Sequence, residues 1–147
     1  EAGLPLYGHE MAGDLGNGVA EGGFGSYVKT YKPWFVGREA YLAREAKRDG
    51  VVVRFRFDEQ RVRMAHPGDP VINDKGQVIG TVTSCAADSE GYLLGQAYVG
   101  LKYATESTPI YIYQGAPDKA SKSPAELSKG DRVTLPGAAK VLRRFPK

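Results

Sequence analysis

The sequence predicts a fold that is mainly β with some α: a small antiparallel β-barrel preceded by a strand and one helix. Three observations carry this expectation. Val51, Val53, Phe55 and Phe57 alternate with Val52, Arg54, Arg56 and Asp58, a period of two that gives a strand one apolar face. Further short runs of β-forming residues follow at the spacing of a sandwich or barrel, each bounded by turn residues. One stretch, about residues 38–48, combines freedom from Gly and Pro with a dominance of Ala, Leu, Glu, Lys and Arg, the composition of a helix.

Composition agrees with a turn-rich β protein. The 147 residues include 19 Gly and 9 Pro, above average usage but short of low-complexity disorder, and 41% are hydrophobic, enough for a real core. No run approaches eighteen apolar residues, so no membrane partner is expected. The net charge is +3, with the excess at the C-terminal end, where residues 101–147 carry 9 basic and 4 acidic side chains. The single cysteine, Cys85, excludes an internal disulfide, and with only His9 and His66 it cannot complete a Cys/His zinc site. A cytoplasmic home follows as the expectation. Glu1-Ala2-Gly3 carries neither an initiator Met nor a signal peptide, which reads as a piece of a longer chain.

Taken in order, residues 1–25 hold eight glycines and read as loops. Ser26–Tyr31 is rich in β formers, ends before Pro33, and reads as a short strand. The helix over about 38–48 has Glu39 in its first turn, Lys47 and Arg48 in its last and Gly50 at its C′ position, and it should pack Tyr41, Leu42 and Ala46 inward. Strands are then expected at Val51–Asp58, Pro70–Asn73, Val78–Ser84, Tyr92–Val99, Pro109–Tyr113, Asp131–Leu135 and Lys140–Arg144. Their inward bulk should come from Val51, Val53, Phe55, Phe57, Ile79, Val82, Ala97, Val99, Ile110 and Ile112. Asn73-Asp74-Lys75-Gly76 reads as a hairpin turn, and residues 115–124 as a polar mobile loop.

The candidate chemistry is sparse. No G-x-x-x-x-G-K-[ST] phosphate loop and no G-x-S-x-G elbow occurs, so the glycines are read as turn residues. Cys85 has no histidine near it in sequence and reads as a small buried or half-buried residue; His66, in His66-Pro67-Gly68-Asp69-Pro70, reads as part of a bend. Arg54, Arg56, Arg61 and Arg63 beside Phe55 and Phe57 raise single-stranded nucleic acid as a ligand, but alternation puts rings and charges on opposite faces. A solvated arginine face over a phenylalanine core is the reading preferred, and the basic end Lys140, Arg143, Arg144 and Lys147 is read as solvated too.

Several segments together resemble the C-terminal part of the glycine-cleavage T-protein, the tetrahydrofolate-dependent aminomethyltransferase family. Glu1-Ala2-Gly3-Leu4-Pro5-Leu6-Tyr7-Gly8 resembles its Glu-Ala-Gly run ending Leu-Tyr-Gly, and Phe35-Val36-Gly37-Arg38-Glu39-Ala40-Tyr41-Leu42 resembles its helix start. A His-Gly-Asp-Pro-Val-like turn (His66 to Val71), Ile-Gly-x-Val-Thr-Ser (Ile79 to Ser84) and Gly-x-Ala-Tyr-Val (Gly95 to Val99) follow in the family's order. Cys85 departs from the glycine usual after Thr-Ser.

The resemblance implies that residues 1–50 are the strand/helix remnant of a folate-binding α/β domain and that residues 51–147 are the C-terminal antiparallel β-barrel domain. It implies tetrahydrofolate as cofactor of the full-length parent, with Glu1 a folate contact and Lys32 a candidate for the folate tail. The family aspartate that orients N5 lies upstream of the position of Glu1, so the fragment is expected to be inactive alone. A lipoyl carrier protein is the implied partner where the one-carbon donor is the glycine-cleavage one. Relatives that demethylate dimethylglycine, sulfonium compounds or methoxyaromatics share the frame. The alternative is a noncatalytic β-barrel binding module for nucleic acid.

Overall fold

The computed structural model describes residues 2–114 and 135–145. Six antiparallel strands form a closed barrel: β1 (Gly50–Gln60), β2 (Pro70–Ile72), β3 (Val78–Ala87), β4 (Tyr92–Gly100), β5 (Pro109–Ile112) and β6 (Gly137–Leu142). Around the barrel the order is β1-β4-β3-β2-β5-β6, and β1 closes it by pairing with both β4 and β6. The period-two pattern produces this directly. Phe55 and Phe57 are fully buried, packed edge to face with ring centroids 5.7 Å apart, and meet Val82, Ala97, Val99, Ile110 and Ile112 in one core. Val53 joins that core, while Val51 and Ile79 pack against it half-buried.

The expected hairpin turn is present. Asn73 N–H donates to Gln77 O, Gly76 takes φ +74°, and the Asn73 side-chain oxygen accepts from the N–H groups of Lys75 and Gln77. His66 lies in the expected bend, where its N–H donates to Asp69 Oδ2 at 2.8 Å and Gly68 takes φ +93°.

Several expectations are corrected. Residues 26–31 form no strand; Gly25–Tyr27 is a single 3-10 turn, followed by irregular chain. The β formers there have no neighbouring strand to pair with, and β propensity needs one. The helix, α1, is shorter than expected, Arg38–Glu45, and buries no residue fully: Tyr41 and Leu42 are half-buried and Ala46 is exposed. Gly50 is not its C′ residue but the first residue of β1, where an added Cβ would lie 2.4 Å from the Tyr98 ring. The last strand starts at Gly137, earlier than Lys140, and ends at Leu142. The expected strand Asp131–Leu135 and the loop over 115–124 lie outside the described residues, apart from Leu135, which is exposed and not in a strand.

Residues 2–49 are laid over the outer face of the barrel, and polar groups hold them there. Gln96 Nε2 donates to Leu4 O at 2.9 Å, Val52 N–H donates to Glu21 O at 2.7 Å, and the Tyr98 hydroxyl donates to Asp49 Oδ1 at 2.8 Å. Burial first, and then this bond to a carboxylate, pushes the Tyr98 hydroxyl up to about 12. This wrap of residues 2–49 explains a further correction. The outer face of β1 is not a solvated arginine face: Val52 is 1% and Arg54 8% exposed. Arg56 is half-buried, 4.6 Å from the Tyr92 ring centroid and 3.4 Å from Glu90 Oε2.

Candidate functional site

The wrap, α1 and the barrel enclose a cavity of about 620 Å³. Its floor is apolar backbone and side chain from Val51, Val52 and Val53, its α1 wall is Tyr41, Leu42 and Glu45, and Gly23, Gly25 and Thr30 of the wrap form another side. Glu45 and Arg48 line it as an ion pair, Nη2 to Oε1 at 2.9 Å, and the second Glu45 oxygen is buried with no hydrogen-bond partner among the described residues. Burial, and after it the charge of Glu45, pushes the Tyr41 hydroxyl up, so it stands in the cavity as a neutral donor.

Arg144 borders the same cavity and organises its far side. Its Nη1 donates to Gln96 Oε1 at 2.7 Å and its Nη2 to Gly22 O at 2.8 Å, while the guanidinium lies 5.7 Å from the Phe24 ring and 5.3 Å from the Phe145 ring. Gly23 is required beside it: with φ +88°, an added Cβ would meet Arg144 Nε at 2.6 Å. The reading of Arg144 as part of a solvated basic end is therefore wrong. It sits two residues after β6 and meets Gly22 and Phe24 of the wrap, a long-range contact that local charge pattern cannot reveal. Lys147 lies outside the described residues.

Two buried carboxylates organise the wrap, Glu21 within it and Glu10 against the barrel. Glu21, 5% exposed, accepts from Gly18 N–H at 3.1 Å and from Arg44 Nε at 2.6 Å, and Arg44 also donates to Gly16 O. Glu10, 1% exposed, accepts from Leu6 N–H at 2.9 Å and from the Ser84 hydroxyl at 2.7 Å. Burial pushes the Glu10 carboxyl up, but the Leu6 N–H and the Ser84 hydroxyl more than reverse this and hold it below its ordinary value. The Thr83 hydroxyl adds to that effect although its geometry falls short of a full hydrogen bond. Neither carboxylate was singled out in the sequence; the signal available was an acid isolated among turn glycines.

Of the two residues implied by resemblance, Glu1 lies outside the described residues. Lys32 is exposed in the irregular chain before α1, two residues beyond Thr30 on the cavity wall; its backbone carbonyl accepts from Arg38 Nε at 3.0 Å. Ala2, the neighbour of Glu1, lines a separate, smaller cavity on the outer face of β1, β3 and β4. Cys85 is half-buried there, and burial pushes its thiol up, away from the reactive thiolate. No group of three or more potential metal ligands occurs among the described residues.

No family model matches the chain. It is 37% identical over 123 residues to the aminomethyltransferase of Alkaliphilus oremlandii, a match covering 76% of this chain and 30% of that protein. It is 38% identical over 112 residues to the aminomethyltransferase of Streptomyces avermitilis, covering 74% of this chain and 29% of that protein. Among solved structures, the glycine cleavage system aminomethyltransferase T of Bartonella henselae matches with a TM-score of 0.71, 19% identity, 97% of this chain and 35% of that one. The chain thus spans about 30% of the length of these curated relatives. By sequence over three quarters of its length and by its closed barrel with the preceding wrap, the chain is related to the aminomethyltransferase, or glycine-cleavage T-protein, family.

Proposed function

We propose that this chain is the C-terminal portion of a tetrahydrofolate-dependent aminomethyl or methyl transferase, that it helps to bind folate and close the active site, and that it is not catalytic alone. The carrying observation is the 37% identity to an aminomethyltransferase over 76% of the chain. In this reading residues 1–50 belong to the folate-binding domain and 51–147 to the closing barrel. The parent resides in the cytoplasm; no helix among the described residues is long and apolar enough to cross a membrane.

In this reading the large cavity takes the part of the folate remote from Glu1, whose neighbour Ala2 lines the smaller cavity: its floor is apolar valine, and it carries a neutral tyrosine hydroxyl and a Glu45 oxygen with no donor among the described residues. Tetrahydrofolate, when bound, supplies the nitrogen that takes up the one-carbon group. The chain's own residues position and enclose it, with Glu1 accepting from the paired donors of the pterin edge and Lys32 meeting the acidic tail. A lipoyl carrier protein is the partner if the donor is aminomethyl-lipoyl; dimethylglycine, sulfonium and methoxy donors need none.

The test is one-carbon transfer to tetrahydrofolate by the longest natural polypeptide containing this sequence, with each of the four donor classes in turn. Turnover with one class and none with the others is expected. Absence of turnover with all four, in a protein that also fails to bind tetrahydrofolate, rejects the proposal.

A further inference from the structure

A third cavity, about 350 Å³, lies between the wrap and the outer face of the barrel. Its walls are His9, Asp14 and Leu15 of the wrap on one side and Pro67, Thr81 and Thr83 on the other. Gly8, Pro67 and Thr83, from three segments that the sequence singled out separately, meet around it. Thr83 is the unusual residue. In the β3–β4 ladder Val82 pairs with Ala97 and Ser84 with Gln96, so Thr83 is an extra residue, a β-bulge, next to Val82 of the core. It is 4% exposed, it lines the cavity, and its hydroxyl is buried with no hydrogen-bond partner among the described residues. A buried hydroxyl left in that state is unfavourable, and a ligand that supplies the missing bond gains from it.

The surroundings decide which kind of ligand that is. The Thr83 hydroxyl stands close enough to the Glu10 carboxylate to lower its pKa without completing a bond. With its proton drawn toward that anion, the hydroxyl has only acceptor lone pairs left to offer. The Asp14 carboxylate on the opposite wall offers acceptors as well, and its charge adds to that of Glu10. A matching ligand therefore brings N–H donors and positive charge. Leu15 and Pro67 flank the space with apolar surface, which suits a short hydrocarbon stem and gives a hydrated metal ion no oxygen ligands.

We propose that this cavity binds a small primary alkylammonium ion, its N–H groups shared between the Thr83 hydroxyl and the Asp14 carboxylate and its stem held between Leu15 and Pro67. The site has no lining residue in common with the large cavity and does not depend on the folate reading, so either can fail without the other.

The probes are n-propylammonium chloride, 1-propanol and potassium chloride, each titrated into the intact chain while sodium chloride keeps the ionic strength constant and the methyl resonances of Leu15, Thr81 and Thr83 are followed by NMR. A saturable shift with propylammonium and none with the other two is expected. Absence of saturation up to about 100 mM propylammonium, weaker than any useful site, overturns the proposal, and so does equal affinity for propanol or potassium. Asp14→Asn, at an exposed position, should weaken propylammonium binding at least about tenfold. Thr83→Val keeps the shape of the side chain, removes its oxygen, and should weaken binding by a similar factor. Unchanged affinity in either folded variant overturns the proposal, and should Thr83→Val fail to fold, Asp14→Asn decides alone.

Discussion

Glu10 shows how one residue can fix a segment without advertising itself in sequence. Its carboxylate is buried yet held below its ordinary pKa of 4.5 by the Leu6 N–H and the Ser84 hydroxyl. A carboxyl whose folded pKa lies below its unfolded value stabilises the fold fully above the unfolded value, and loses that contribution as pH falls through the folded one. Glu10→Gln should therefore be less stable than the parent chain at neutral pH, with the gap narrowing as pH drops below about 4.5; urea unfolding of both proteins at several pH values checks this. A gap independent of pH would mean that the charge of Glu10 contributes nothing. At Glu1 the prediction is about binding. Losing one charge-assisted partner costs roughly 1.5–3 kcal/mol, so Glu1→Gln in the full-length parent should weaken tetrahydrofolate binding by about 10- to 150-fold. Affinity unchanged within about twofold, measured by calorimetry, would remove Glu1 from the folate site.

At the scale of elements, the strands were legible and the wrap was not. Val53, Phe55 and Phe57 announce β1 because period two survives wherever one face is buried in a barrel. Arg54 misleads for the same reason: its position on the polar face is correct, but a loop covers that face, and loops leave no periodicity. Ser26–Tyr31 fails as a strand because propensity without a pairing partner does not make one. Close strand packing gives a further prediction. An added Cβ at Gly95 of β4 would lie 2.4 Å from the Phe55 ring and 2.5 Å from Ser84 O, whereas one at Gly100 would meet nothing closer than 3.7 Å. Gly95→Ala should destabilise the fold by about 1–3 kcal/mol, and Gly100→Ala by much less, in chemical denaturation. Equal effects would show that the barrel relaxes around position 95.

On the scale of the whole molecule, the barrel is self-contained while the wrap is docked. The barrel closes through backbone ladders and one apolar core; residues 2–49 attach through a handful of polar links and leave Tyr27, Tyr31, Trp34 and Val36 largely exposed. Few buried apolar contacts mean a low local opening free energy, so amide exchange should be fast before Gly37 and slow in β1, β3 and β4. Arg144 joins the two parts, holding Gly22 O and Gln96 while it lies against Phe24. Arg144→Ala should accelerate exchange across residues 10–30 and leave the amides of Val82, Ala97 and Val99 as protected as before, because those sit in the ladders between β3, β4 and β1. If the substitution loosens the barrel and the wrap together, they form one cooperative unit, and the proposed division near Gly50 is wrong. The candidate site inherits this arrangement: its floor belongs to the rigid barrel and its walls to the docked segment, so a ligand that bridges floor and wall should slow exchange in the wrap far more than in the barrel.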